Sequence, residues 1–299
     1  MHDIVVPLDG TPLSEAALPW AHTIADRTGG RLHLVHVHIP FQVPTCREVT
    51  GERVGQTLRE IADATSERES DYLRETRGRI QISHPTPEVS TALLQGPMRA
   101  ALLEHAGEAG ATLIVMATRP LRGLDRAWSG SVTDELVRRC PIPVLIVRGH
   151  EGPHIEPRVN RVMVPLDGSI TAESAVAHAI ALARVFDADL LFVRVLGTDR
   201  DEQSAEQYLD GIKARVRPSG LAAETRVAAG RDVADTLIQV ATESRAGVVA
   251  LASHYRRGLS RLVFGNVAET LVRDGSRPVL VLADRALRAA GASQIVAWS

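Results

Sequence analysis

The sequence predicts an α/β fold of two tandem domains, each a five-stranded parallel sheet sandwiched between helices. Three observations lead there. Short, continuous apolar runs alternate with amphipathic stretches along the chain, the pattern of strands buried on both faces between helices. A unit of strand, loop, helix and strand occurs twice, at residues 113–147 and 248–282. The 299 residues suit two domains at roughly 150 residues each.

In the first copy of that unit, Leu113 to Ala117 reads as a buried strand and residues 118–128 as a polar, basic loop. Ser129-Gly130-Ser131-Val132 then starts a helix, with Asp134 and Glu135 in its first turn and Arg138 and Arg139 in its last, as the helix dipole prefers. Pro141 and Pro143 stop it, and Val144 to Val147 forms the next strand. In the second copy Gly265 stands for Gly130 and Pro278 for Pro143, both at a spacing of 135 (265 − 130 and 278 − 143). Near the start of each half, Ile4-Val5-Val6-Pro7-Leu8-Asp9-Gly10-Thr11 recurs as Val162-Met163-Val164-Pro165-Leu166-Asp167-Gly168-Ser169 at a spacing of 158 (162 − 4). The second half is therefore 23 residues shorter in between (158 − 135), a loss that falls on a loop and the start of a charged helix. The boundaries that follow are a first domain at 1–149, a polar linker at 150–160, a second domain at 161–283 and a tail at 284–299.

Taken in order, Asp3 to Leu8 is the first strand, Ser14 caps a helix to about Arg27, and Gly29-Gly30 ends it. Leu32 to His38 is the second strand, and residues 39–50, with Pro40 and Pro44, form a loop. A charged helix follows with Val54, Leu58, Ile61, Tyr72 and Leu73 inward. Val89 to Gln95 is the third strand, with Ile80 to Ser83 a candidate for an additional one. Pro97 opens a helix that Gly110 ends. In the second half, Leu190 to Val195 and Thr225 to Ala229 are strands, and Ala205 to Val216 and Asp232 to Ser244 are helices. The tail begins helix-like, and Gln294 to Trp298 could add to a sheet edge or a partner.

Composition narrows the function. Hydrophobic residues make up 44% but aromatics only 3%, so the cores are aliphatic. A net charge of −2 argues against a general nucleic-acid or membrane-surface binder. No apolar run reaches the length of a membrane span, and the chain enters a strand at Ile4 without a signal peptide. Cys46 and Cys140 form no paired motif, which fits a cytoplasmic protein. The motifs GxxxxGK[ST], GxGxxG after a strand, HExxH and GxSxG are absent, so no catalytic residue is assigned. His36 and His38 share one face of a strand and His33 lies on the other. With no third ligand at a known spacing, they read as packed or hydrogen-bonded histidines and not as a metal site.

Three features together carry a family resemblance: Pro-Leu-Asp-Gly after the first strand, a second strand ending His36-Val37 or Arg194-Val195, and a late Gly130-Ser131-Val132 helix start followed by Pro-Val-Leu-Ile-Val. The chain resembles a tandem universal stress protein over nearly its whole length. The resemblance implies a strand order of 3-2-1-4-5 in each half. From ATP-binding members it implies Asp9 and Asp167, with Val37 and Val195, as adenosine contacts, and a Gly-x2-Gly-x9-Gly-Ser/Thr loop for ribose and phosphates.

That loop departs from the pattern in both halves. Ala117 and Pro120 replace its first glycines in one copy; Ala252 and Tyr255 replace them in the other, where Asn266 also stands for Ser/Thr. Pro120 has no N–H to donate, and Tyr255 brings a ring where a glycine would leave space. Gly130-Ser131-Val132 and Gly265-Asn266-Val267 keep helix starts suited to an anion. Arg119, Arg122, Arg256 and Arg257 can grip phosphate or simply form a solvated face. Asp9 and Asp167 can contact a ligand or cap their own loop.

The expectation is a non-catalytic ligand-binding or regulatory module in stress adaptation, with ATP or another adenine nucleotide as its ligand. The alternatives are a slow ATP hydrolase, or a scaffold that binds protein partners and no nucleotide. The family's last strand often pairs across a dimer axis, so Val144 to Val147 and Val279 to Leu282 are expected to pair within the chain, or with a second copy in a homodimer.

Overall fold

The computed structural model describes residues 3–39, 52–83, 86–118, 136, 140–149, 156–197, 201–253 and 266–283. The strands of the first half are β1 (Asp3–Pro7), β2 (Arg31–His38), β3 (Glu88–Gln95), β4 (Ala111–Thr118) and β5 (Val144–Arg148). Those of the second are β6 (Arg161–Pro165), β7 (Asp189–Leu196), β8 (Ala223–Ala229), β9 (Val248–Ser253) and β10 (Val279–Ala283). The helices are α1 (Pro12–Glu15), α2 (Leu18–Thr28), α3 (Glu52–Ser83), α4 (Met98–Glu108), α5 (Ile170–Glu173), α6 (Ala175–Phe186), α7 (Glu202–Val216), α8 (Val233–Glu243) and α9 (Asn266–Asp274).

Each half has the order 3-2-1-4-5, and the two halves share one ten-stranded sheet ordered β3-β2-β1-β4-β5-β10-β9-β6-β7-β8. The pairing is parallel within each half and antiparallel at β5–β10, where Leu145 lies opposite Leu280. Strand alternation sorts the apolar residues into two layers, one on each face of the sheet. Ile4, Val6, Leu145 and Leu280 belong to one layer, and Val5, Val144, Ile146 and Val279 to the other. Both layers draw on both halves, so each face of the sheet carries a continuous core. Contacts outside the sheet also cross between halves. Arg27 Nη1 donates to the Val185 carbonyl at 2.7 Å, Trp20 and Phe186 stack at 5.9 Å, and Arg148 Nη2 donates to the Arg273 carbonyl at 2.6 Å.

Several local expectations are corrected. Ser14 is not the cap: Thr11 is, its hydroxyl accepting from the Ser14 amide, and the helix breaks into α1 and α2 with Pro19 in the first turn of the second. Ile80 to Ser83 is not a strand but the last turn of α3. The inward face set by Tyr72 and Leu73 continues through Thr76 to Ile80, at helical spacing, while Ile82 points out, 87% exposed, and Ile61, expected inward, is exposed as well. The helix begun at Ala205 in the sequence reading starts earlier, at Glu202, because Asp201 caps it; the strand begun at Thr225 starts at Ala223. The tail from 284 onward, Cys46 and Trp128 lie outside the described residues. Cys140 is buried, and burial pushes its thiol up to about 11.

The amino edge of the sheet shows how the copies diverged. Arg31 donates to both carboxylate oxygens of Asp3, at 2.8 and 2.7 Å, and holds that carboxyl below its ordinary range. The residues at the same places in the second half are Arg161 and Asp189, 4.0 Å apart, so the pair recurs with its signs exchanged.

The β5–β10 seam is closed by apolar side chains, and Leu280 is 3% exposed. Leu280→Ala is expected to lower the stability of the whole chain by about 2–5 kcal/mol, measured by chemical denaturation.

Candidate functional site

The central strands stop short at the carboxyl edge. β1 ends with Pro7 opposite Val35, while β2 runs on, pairing Val37 with Leu94 and His38 with Gln95. On its other side β4 runs on to Thr118, paired with Arg148. The second half repeats this: β6 ends with Pro165 opposite Val193, β7 continues to Leu196 beside Ala229, and β9 to Ser253 beside Ala283. Each half thus has a recess above its central strand, which ends before both of its neighbours. In each, the chain crosses to opposite sides of that strand, which is the switch point where open α/β sheets bind ligands.

The floor of each recess is a tight turn. The Leu8 amide donates to the Val35 carbonyl and the Leu166 amide to the Val193 carbonyl, both at 2.8 Å. Gly10 and Gly168 follow with φ of 80° and 88°, which a side chain would strain. Asp9 Oδ1 accepts from the Thr11 amide and Asp167 Oδ1 from the Ser169 amide, each at 2.9 Å. Thr11 and Ser169 in turn cap the helices that follow. Both aspartates therefore bond their own loop, and both stay exposed at the recess.

The valines ending the second strands behave differently from the aspartates. Val37 is 7% exposed and sits in the α4-side core layer, so it offers a ligand its backbone and not its side chain. Val195 is half-buried against the same layer. Ala117 and Ala252, which replace loop glycines, turn their methyls into the opposite core layer, so the packing accommodates both. Asn266 is the first residue of α9, and Val267 is half-buried against the core, anchoring that helix start. Arg119, Pro120, Gly130, Ser131, Val132, Tyr255, Arg256 and Gly265 lie outside the described residues.

Behind each recess lies a network that sequence reading missed. Tyr72 of α3 donates to Glu15 Oε1 at 3.0 Å, and Arg79 donates to the same oxygen at 2.9 Å. In the second half Arg215 donates to Glu173 at 2.7 Å, and Tyr208 lies beside the same carboxylate. The repeat spacing shows the equivalence: 158 for the glutamates (173 − 15), 136 for the tyrosines (208 − 72) and 136 for the arginines (215 − 79). Burial first, then the nearby carboxylate, raises both phenols, Tyr72 well above the usual tyrosine range and Tyr208 up to about 12. The network ties the helix that leaves the aspartate turn to the helix that follows the second strand.

Next to the recesses the copies differ. In the first half His36 Nε2 and His38 Nδ1 reach Glu69 of α3 at 3.3 and 2.6 Å, while His33, on the other face, meets Ser90 Oγ at 2.8 Å. In the second half Arg194 takes the place of His36. Its guanidinium stacks 5.0 Å above the Tyr208 ring, with Nη1 3.0 Å from where a Cβ on Gly168 would stand. Among the described residues, no group of three or more His, Cys, Asp or Glu could hold a metal ion, and no helix is long and apolar enough to cross a membrane.

Comparison with known proteins now bears on this geometry. The model of the universal stress protein family matches residues 1–148 and 158–283. A universal stress protein of Mycobacterium tuberculosis is 25% identical over 306 residues, covering 94% of this chain and 96% of the relative. A second one from that organism is 27% identical over 299 residues, covering 93% and 95%. The crystal structure of a universal stress protein from Archaeoglobus fulgidus matches with a TM-score of 0.69 at 17% identity, covering 95% of this chain and 98% of that one; at that identity it speaks for the fold.

Tyr72→Phe takes a donor from Glu15, which is only 8% exposed, and is expected to cost about 1–3 kcal/mol at neutral pH. The folded-state ionisation of Tyr72 lies above the unfolded value of about 10, so its contribution is complete below about pH 10 and is lost as pH rises through the folded value. Denaturation of wild type and variant across alkaline pH should show the gap between them closing.

Proposed function

Because the chain belongs to the universal stress protein family, we propose that it is a non-catalytic regulatory module of stress adaptation that holds an adenine nucleotide, ATP first, at its switch-point recesses. One observation carries this reading: the recess occurs twice, each time with an exposed aspartate turn at the end of the central strand and a second strand that runs past it. An adenine lying in such a recess meets peptide edges at Val37 or Val195, and the ribose lies toward Asp9 or Asp167. Phosphates would be met by the helix starts that the sequence predicts at Gly130-Ser131 and Gly265-Asn266, where amide groups and a positive dipole end favour anions. Arg119 and Arg256, which stand in the loops before them in sequence, carry the charge to assist.

The departures in the loops favour holding a nucleotide over cleaving it. Pro120 supplies no amide hydrogen, and Tyr255 replaces a loop glycine of the kind that lets backbone approach a triphosphate closely. The module works in the cytoplasm, where adenine nucleotides are abundant. Pairing of the two halves through their last strands makes one chain carry both sites, and a further homodimer would double them.

Calorimetric titration of the full chain with ATP and with AMP, with and without Mg²⁺, tests the reading. Saturable binding is expected. Asp9→Ala and Asp167→Ala should each weaken it by about tenfold, the equivalent of one hydrogen bond of about 1.4 kcal/mol. No saturable heat at millimolar nucleotide rejects the reading and leaves a scaffold for protein partners. Binding followed by phosphate release shows a slow hydrolase instead.

A further inference from the structure

A cavity of about 490 Å³ opens between α2 and α3, away from the carboxyl-edge recesses. That volume lies in the range of small-molecule sites, roughly 300–1,000 Å³. Glu15 lines it together with the apolar Leu18 and Pro19 from the first helices and Ile80 and Ile82 from the end of α3. Ile82 is 87% exposed, and Glu156, from the segment joining the halves, stands exposed among the lining residues.

The duplicated chain supplies its own control. His22 and Thr23 line the cavity from α2, and at a spacing of 158 their counterparts are Ile180 and Ala181 (180 − 22 and 181 − 23). Thr76 and Ile80 line it from α3, and at a spacing of 136 theirs are Ile212 and Val216 (212 − 76 and 216 − 80). Ala181, Ile212 and Val216 are buried in the second half and Ile180 packs against its core, so that half keeps apolar side chains at these places. The first half has put an imidazole and two hydroxyls in the same positions. It also continues α3 past Arg79 to Ser83, whereas α7 ends at Val216 and gives way to a short 3-10 turn. Polar groups beside a cavity are less favourable for folding than the aliphatic set the other copy retains. Divergence in that direction builds a lined site at the expense of packing.

The charges decide the class of ligand. The lining holds two carboxylates, Glu15 and Glu156, and one guanidinium, Arg79, which is bonded to Glu15 and to Thr76 Oγ1. His22 Nε2 donates to the Thr86 carbonyl at 2.9 Å. Arg79 is engaged by Glu15, so Glu156 is the lining carboxylate that stands exposed beside the apolar residues. We infer that the α2–α3 cavity is a second ligand site, which takes a small organic cation: an amine head at Glu156 on an apolar body between Leu18, Pro19 and the isoleucines of α3. The site is separate from the nucleotide recesses and does not depend on their being occupied.

The test uses three probes with the same ring: 2-phenylethylamine, 2-phenylethanol and 3-phenylpropanoate, titrated into the full chain by calorimetry and followed by thermal unfolding. The amine is expected to raise the unfolding temperature and to bind at least about tenfold more tightly than the carboxylate. His22→Ile with Thr76→Ile copies the second half, fills the cavity and should weaken the amine by about tenfold or more with an unchanged circular dichroism spectrum. Glu156 is exposed, so Glu156→Gln leaves the fold intact even where the double variant does not, and it should erase the advantage of the amine over the alcohol. The inference is overturned if the amine does not bind at millimolar concentration, if the carboxylate binds as well, or if Glu156→Gln leaves the amine's advantage intact. Amine affinity unchanged in a folded double variant also overturns it.

Discussion

The early end of the two central strands is the constraint on which the rest depends. A parallel strand flanked by longer neighbours, with the chain leaving to opposite sides, leaves a gap that backbone alone cannot close. The Pro-Leu-Asp-Gly turn is how the chain leaves that gap: a carbonyl of the second strand anchors it, a left-handed glycine redirects it, and the aspartate ties down the amide two residues on. Asp9 and Asp167 are thus structural residues by their bonds and candidate ligand residues by their position. The two roles coexist because turn and recess are made by the same few atoms.

The duplication explains what is shared and what is not. Both copies keep the sheet order, the turn and the Glu–Arg bond behind it, while the Tyr72 hydroxyl donates to Glu15 in the first half and that of Tyr208 in the second has no hydrogen-bond partner among the described residues. Between copies the free choices differ. An edge ion pair survives with reversed signs, because attraction between Asp3 and Arg31 or Arg161 and Asp189 is the same whichever strand carries the cation. A clamp of His36 and His38 on Glu69 in one half gives way to Arg194 stacked on Tyr208 in the other. The surroundings of the two recesses therefore differ in charge even though their backbones match, and polar side chains line the α2–α3 cavity of the first half where the second half has apolar ones.

Much of this was legible in the sequence. Continuous apolar runs bounded by Gly and Pro placed the strands, because a strand buried on both faces admits little else. The repeat spacings placed the aspartate turns, and the order 3-2-1-4-5 came with the family resemblance. Local reading failed where two residue sets competed for one role. Thr11 took the cap from Ser14 because it follows the strand turn directly and its hydroxyl faces the Ser14 amide. Ile80 to Ser83 has the apolar content of a strand, but the helical face begun at Tyr72 carries through it.

The sequence by itself determined the alternation of strands and helices, their duplication and the turn chemistry at Asp9 and Asp167, because these depend on neighbours a few residues apart. Only the tertiary structure decided that the halves share one sheet through Leu145 and Leu280, that Glu15 is met by Tyr72 and Arg79, and that a cavity stands between α2 and α3. Those depend on residues 57 to 135 positions apart (72 − 15 and 280 − 145), and no local pattern states which distant side chains will share a volume once the chain has folded.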